Sequence, residues 1–170
     1  TLIKELIYQQ LAAAPQSKIL VVSQANVAVD NVLRGLTKQG GLPFEQIVRC
    51  GNLDTISSDL QNYYFENRLA EYENQLSNGA CPEELRPYRE RWLKLLEDEE
   101  NKVQISEYLL NNFSVIGATC VGLAKKKLGL NRIDFDLVII DEAGKALPGE
   151  LLIPINHAKK VIIIGGHKQL

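Results

Sequence analysis

The sequence has no methionine, three cysteines, two histidines and a single tryptophan among its 170 residues. Cys50, Cys81 and Cys120 are odd in number, far apart and without a C-x-x-C pair. His157 and His167 add no ligand spacing, so the chain offers no zinc framework and its thiols read as reduced. No apolar run approaches the roughly 20 residues that cross a bilayer, and no secretory leader pattern opens the chain. These absences point to an intracellular protein, cytoplasmic or nuclear, with no membrane partner. The missing methionine, with Thr1 already inside a helical pattern and Leu170 just after a strand, makes the chain read as part of a longer protein. Internal repeats and low-complexity tracts are lacking too.

What is present is an ordinary globular composition, 45% hydrophobic and 24% charged, in a length that fits one domain with a real core. The net charge of −2 is unevenly placed. Residues 53–112 hold 13 acids and 6 bases, a net of −7, whereas the remainder holds 8 acids and 13 bases, a net of +5. That remainder is compatible with a polyanionic partner without requiring one.

Periodicity separates the same two parts. Leu2, Ile3, Leu6, Ile7 and Leu11 give a helical face that Pro15 ends. A short strand follows at 18–23. Ala25, Ala28, Val29, Val32, Leu33 and Leu36 then mark an amphipathic helix, with Ser23 or Asn26 as its candidate cap and Gly40-Gly41 as its stop. Further strands are expected at 46–50, 114–119, 135–140 and 161–164, and a first strand is expected before Thr1. Residues 53–112 contain no strand pattern. Phe65, Leu69, Tyr72 and Leu76 line one helical stretch, and Leu85, Tyr88, Trp92, Leu95, Leu96 and Val103 line a second, which predicts a helical hairpin with Trp92 in its core. Alternating helices and short apolar strands predict an α/β fold with a mostly parallel sheet.

Phe135-Asp136-Leu137-Val138-Ile139-Ile140-Asp141-Glu142-Ala143 carries the sharpest chemistry. Its apolar run lacks polar alternation, as in strands buried on both faces. Ligands of parallel sheets sit at the carboxyl ends of strands. A nucleotide hydrolase needs two carboxylates there, one holding Mg²⁺ on the phosphates and one orienting or deprotonating water. The same acids also read as the solvated end of a core strand. A phosphate-binding loop, G-x-x-x-x-G-K-[ST], is absent. Gly117 and Gly122 have its glycine spacing, but Leu123 and Ala124 follow, so they read as glycines of a strand end and tight turn. Such loops end where a helix begins, and this chain opens on a helix, so the break is expected just after the loop.

Four ordered blocks resemble superfamily 1 helicases, of the branch containing the nonsense-mediated-decay helicase and senataxin. Ile19 through Asn31 is similar to the family's S-N-x-A-V-D motif, and Val115 through Cys120 to a strand ending T-T-C. Phe135 through Ala146, continued by Glu150, Ile153 and Pro154, is similar to F-D-x-x-I-D-E-A-x-Q-A. Ala158 through Leu170 is similar to A-x-x-x-x-L-x-G-D-x-x-Q-L. The resemblance implies a RecA-like P-loop NTPase domain with a three-layer fold, spanning 1–170 without its phosphate loop, the helical hairpin 53–112 being an insertion. It implies ATP and Mg²⁺ as cofactors, single-stranded DNA or RNA as track, and a second RecA-like domain completing the site. By carry-over Asp141 coordinates Mg²⁺, Glu142 activates water, and Gln169 senses the γ-phosphate and links hydrolysis to movement. Ser23, Asn26 and Thr119 lie along the nucleic-acid path, where small polar donors suit positioning contacts; helix capping and strand-end hydrogen bonding are the alternative uses of these side chains.

Four departures stand out. Ala25 replaces the usual Ser, Ala118 the first Thr of T-T-C, Lys145 the Gln after D-E-A-x, and Gly166 the Asp of G-D-x-x-Q. Lys125, Lys126 and Lys127 fit either phosphate contact or a solvated helix face. The expected activity of the parent is ATP-driven translocation on a single strand and duplex unwinding, with 5′→3′ polarity implied by the family, and the chain alone is expected to be inactive. Two rival readings remain: a different P-loop ATPase, such as a clamp loader or transporter motor, and a non-catalytic nucleic-acid-binding module with a degenerate ATPase fold.

Overall fold

The structure, a computed structural model, describes residues 2–38, 40–124 and 129–165. In chain order the elements are α1 (Leu2–Ala13), β1 (Ile19–Ser23), α2 (Asn26–Thr37), β2 (Ile47–Arg49), α3 (Phe65–Asn78), α4 (Arg86–Leu96), α5 (Glu99–Leu110), β3 (Val115–Thr119), α6 (Cys120–Leu123), β4 (Leu137–Asp141), α7 (Pro148–Ile155) and β5 (Val161–Ile163). The five strands form one sheet in the order β2-β3-β1-β4-β5, and each neighbouring pair is parallel. All five lie where apolar runs predicted them, and the α/β class with a parallel sheet is confirmed.

Two apolar layers sandwich this sheet. Leu20 and Val22 of β1, with Val138 and Ile140 of β4, face a layer built from Phe65, Leu69, Leu110, Cys120 and Leu123. Ile19 and Val21, with Leu137 and Ile139, face the other, where Ile3 and Ile7 of α1 meet Val29, Val32, Leu33 and Leu36 of α2. Successive strand side chains point to opposite faces, so a strand covered on both must be apolar throughout. That is why β1 and β4 carry no polar alternation. Helices over both faces make the architecture three-layered.

Gly117 owes its identity to packing. A Cβ there would lie 2.7 Å from Leu33 Cδ1 and 3.0 Å from Val29 Cγ1, so the bare backbone of β3 lets α2 settle close to the sheet. Gly122 donates its N–H to Thr119 Oγ1 at 3.0 Å, as expected of a tight turn.

Residues 53–112 differ from a hairpin. Two 3-10 turns, Leu53–Thr55 and Ser58–Tyr63, lead into three helices rather than two. The second expected helix breaks because Asp98 Oδ1 accepts the N–H groups of Glu100 and Asn101 at 2.9 and 3.0 Å, capping a new helix there. Trp92 is not core: it is 42% exposed and α4 has no buried residue, because α4 packs on α3 and α5 at the rim. The segment is anchored by Arg68 of α3. Its Nη1 donates to the Phe44 and Ile47 carbonyls at 3.0 and 3.2 Å, and its guanidinium lies over the Phe44 and Phe113 rings. Among the described residues no helix is long and apolar enough to cross a membrane.

Asp136 ties the entry of β4 to its neighbours. Lys159 Nζ donates to Oδ1 at 2.8 Å and the Lys18 backbone N–H to Oδ2 at 2.9 Å. The Lys159 bond first, then that of Lys18, holds the carboxyl below the usual carboxylate range. A group with a depressed folded pKa contributes stability that is complete above its unfolded value, about 4, and is lost as pH falls through the folded one. Urea midpoints measured against pH are therefore expected to fall in acid for the native sequence. Asp136→Asn is expected to lower the midpoint at pH 7 and flatten that acid limb.

Candidate functional site

The register of the sheet gathers residues that are far apart in sequence. Ser23, the last residue of β1, pairs with Thr119 at the end of β3 on one side and with Asp141 at the end of β4 on the other. Three of the expected site residues thus form one row across adjacent strand ends, at the carboxyl edge where parallel sheets bind ligands. Asn26 opens α2 three residues beyond Ser23, and Glu142 follows Asp141.

Each member of the row has a distinct environment. Ser23 is fully buried, and its Oγ hydrogen-bonds to none of the described residues. Thr119 Oγ1 accepts the Gly122 N–H and caps α6, so that part of the hydroxyl's capacity is structural, while its own proton remains to be donated. Asp141 Oδ1 accepts the Glu142 N–H at 2.9 Å. Its other oxygen has no hydrogen bond to a described residue.

Glu142 sits at φ 53°, ψ 36°, the one non-glycine residue with positive φ among those described. The left-handed conformation costs roughly 1–2 kcal/mol for a side chain with Cβ, and such outliers cluster at functional positions. The turn is pinned from both sides: the Ala143 N–H donates to the Ile164 carbonyl at 3.0 Å, and the Lys145 N–H to the Glu142 carbonyl at 3.0 Å. Lys145 Nζ also lies 3.1 Å from Glu142 Oε1, so the lysine that departs from the family pattern engages the candidate water-activating carboxylate directly. Glu150, further along the same block, accepts the Leu147 N–H at 2.9 Å at the start of α7, and Gln24 Nε2 approaches it at 3.4 Å across from β1.

Neither Ser23 nor Asn26 caps α2. The cap position is Ala25, in extended conformation with no side-chain bond. Asn26 instead turns its Oδ1 to Arg49, whose Nη2 donates to it at 2.9 Å. Arg49 and its partner Asp30 are buried, with Nε to Oδ1 at 2.8 Å. Arg49 Nη1 donates to the Cys50 carbonyl. Asp30 Oδ2 accepts both the Ser57 N–H and its hydroxyl at 2.8 Å. Asp30, Arg49 and Ser57 were not singled out from the sequence. The available signal was a charge inside the otherwise apolar Ile47-Val48-Arg49-Cys50 strand, since a fully buried arginine requires a paired partner.

The thiols take no part. Burial pushes Cys50 and Cys120 up, which leaves neither a thiolate at neutral pH. Gln169, Gly166, His167 and the lysines at 125–127 lie outside the described residues.

A family model described as an AAA domain matches residues 67–170. The mouse 5'-3' DNA helicase ZGRF1 is 32% identical over 157 residues, which cover 90% of this chain and 8% of that protein. The Saccharomyces cerevisiae ATP-dependent helicase NAM7 is 32% identical over 170 residues, 96% of this chain and 16% of that protein. The chain thus spans less than a fifth of the length of either relative. The crystal structure of the Pyrococcus furiosus Hef helicase domain superposes with a TM-score of 0.50 at 19% identity, covering 98% of this chain and 26% of that one, a likeness of fold.

Removing one partner of the buried pair strands the other. Asp30→Ala is expected to destabilise the fold by about 3–5 kcal/mol, read as the shift in chemical unfolding midpoint. Asp30→Leu combined with Arg49→Met is expected to be milder than Asp30→Ala alone, because no uncompensated charge remains.

Proposed function

This chain belongs to the AAA domain family, among the superfamily 1 helicases, and on that footing we propose that it forms part of the first RecA-like motor domain of a longer, intracellular nucleic-acid helicase. The intact protein couples ATP hydrolysis to 5′→3′ movement along single-stranded DNA or RNA and to duplex unwinding. Residues 53–112 are an insertion in that domain, and a second RecA-like domain completes the ATP site. The observation that carries this reading is the row Thr119–Ser23–Asp141 at the sheet's carboxyl edge, flanked by Asn26 on one side and the strained Glu142 on the other.

Roles follow from position. Asp141, with one oxygen uncommitted to described residues, would hold Mg²⁺, an ion that takes few protein carboxylates. The ion, when bound, neutralises charge on the transferring phosphoryl group. Glu142 orients and deprotonates the attacking water, its carboxylate being held in place by the turn and by Lys145. Gln169, outside the described residues, is assigned the γ-phosphate from the motif resemblance alone. Asn26 and Thr119 donate to strand phosphates, with Ser23 buried between the two halves of the edge. Catalysis here is positioning and charge stabilisation. Because a second RecA-like domain completes the ATP site in this reading, the chain by itself is expected neither to hydrolyse ATP nor to unwind a duplex. A second reading, a non-catalytic strand-binding module, draws on one contact: Lys145 already occupies the Glu142 carboxylate.

Steady-state ATP hydrolysis by the full-length protein, with and without single-stranded DNA or RNA, separates these readings. Turnover stimulated by one strand type and reduced by at least about a hundredfold in Glu142→Gln is expected. Strand binding without turnover would favour the non-catalytic module, and unstimulated Glu142-dependent turnover would favour another ATPase class.

A further inference from the structure

We infer that Arg49 is a positioning residue that fixes the side-chain amide of Asn26 so that its Nδ2 donors face the phosphates of a bound strand; this rests on the proposed role of Asn26 in strand contact. A guanidinium donates and never accepts. Because Arg49 Nη2 donates to Asn26 at 2.9 Å, the atom facing it must be the carbonyl oxygen Oδ1, and the amide's orientation is settled. The planar amide then directs its NH₂ group away from Arg49. Among the described residues Nδ2 has no acceptor, and phosphate oxygens accept only.

Arg49 is able to enforce this because it is buried and held on three sides. It is 0% exposed and gripped at three points: Asp30 on Nε at 2.8 Å, the Cys50 carbonyl on Nη1, and Asn26 on Nη2. Asp30 is held in turn by the N–H and hydroxyl of Ser57. The bond to Asn26 is charge-assisted and shielded from water, which strengthens it. It also crosses the fold: Arg49 ends β2, Asn26 follows β1, and β3 lies between these strands. Asn26 is free for this use because α2 is capped at Ala25 without a side-chain bond. The Asp30 carboxylate balances the Arg49 charge within the core. Arg49 thus acts on a strand through the geometry of Asn26 and not as a cation, so it should leave the salt dependence of binding untouched.

The test is fluorescence anisotropy of the full-length protein with labelled oligo-dT and, in parallel, oligo-rU, over a salt series, with thermal melting of every variant. Asn26→Ala is expected to weaken binding about tenfold, the worth of one hydrogen bond to a charged group. Arg49→Lys retains a cation for Asp30 but loses the fork that reaches Asn26. It is expected to give the same loss, with no further loss in the double variant and an unchanged salt slope. Asn26→Asp keeps an acceptor for Arg49 but presents an acceptor outward, so its melting temperature should hold or rise while affinity falls at least as far as in Asn26→Ala. Wild-type affinity in Arg49→Lys, losses that add in the double variant, or a changed slope would overturn the positioning role and leave strand contact by Asn26 standing. Wild-type affinity in Asn26→Ala would overturn that contact and the inference with it. If Arg49→Lys fails to fold, Asn26→Asp decides, and wild-type binding by that variant overturns the inference.

Discussion

Everything in this molecule hangs on the burial of β1 from both sides. It is the middle strand of five, Ile19 to Val22 are fully enclosed, and neither face offers its backbone an alternative to the flanking ladders. A one-residue slip would exchange the residues facing the two apolar layers. The register is therefore strongly specified. Because both neighbours are parallel to β1, a fixed register also fixes which residues share the strand ends. Packing energy spent on Val and Ile side chains in the core thereby decides that Thr119, Ser23 and Asp141 lie side by side at the edge.

A second level of order is polar. The Asp30–Arg49 pair occupies the core at the carboxyl end of β2, where an apolar pair of like volume could have stabilised the fold as well or better. What the ion pair provides and an apolar pair lacks is direction. Its hydrogen bonds reach a backbone carbonyl, the Ser57 turn and the Asn26 amide, which link the start of α2 to the loop leading into the helical segment. That segment is held unevenly: Phe65, Leu69 and Leu110 reach the core over the sheet. Arg68 stitches α3 to β2, whereas α4 contributes no buried residue and exposes Tyr88 and Trp92. Its acidic composition and the thin packing of α4 set its outer part apart from the sheet.

Much of this was legible in the sequence, and the parts that were not share a cause. Strands showed as short apolar runs, and α2 as a 3.6-residue stripe, because those patterns are local. The grouping of Asp141 with Glu142 was visible for the same reason. The break at Asp98 was within reach, since an aspartate ahead of Glu99-Glu100 is a preferred cap, but the apolar stripe from Leu85 to Val103 masked it. Trp92 misled because a hydrophobic face shows that a helix packs, not how deeply. The capping of α2 by Ala25 reversed a rule of preference at Asn26, whose side chain has a better partner in Arg49. That partnership and the three-residue row depend on strand order, to which spacing along the chain gives no access.

The left-handed turn at Glu142 sets stability against chemistry at a single codon. Glycine or asparagine would occupy φ 53° with less strain, so either substitution relaxes the backbone while deleting the carboxylate. Selection for heat resistance alone would drift toward those residues and return a sturdier protein stripped of its candidate water-activating group. Holding a glutamate at φ 53° therefore costs backbone stability that glycine or asparagine would return.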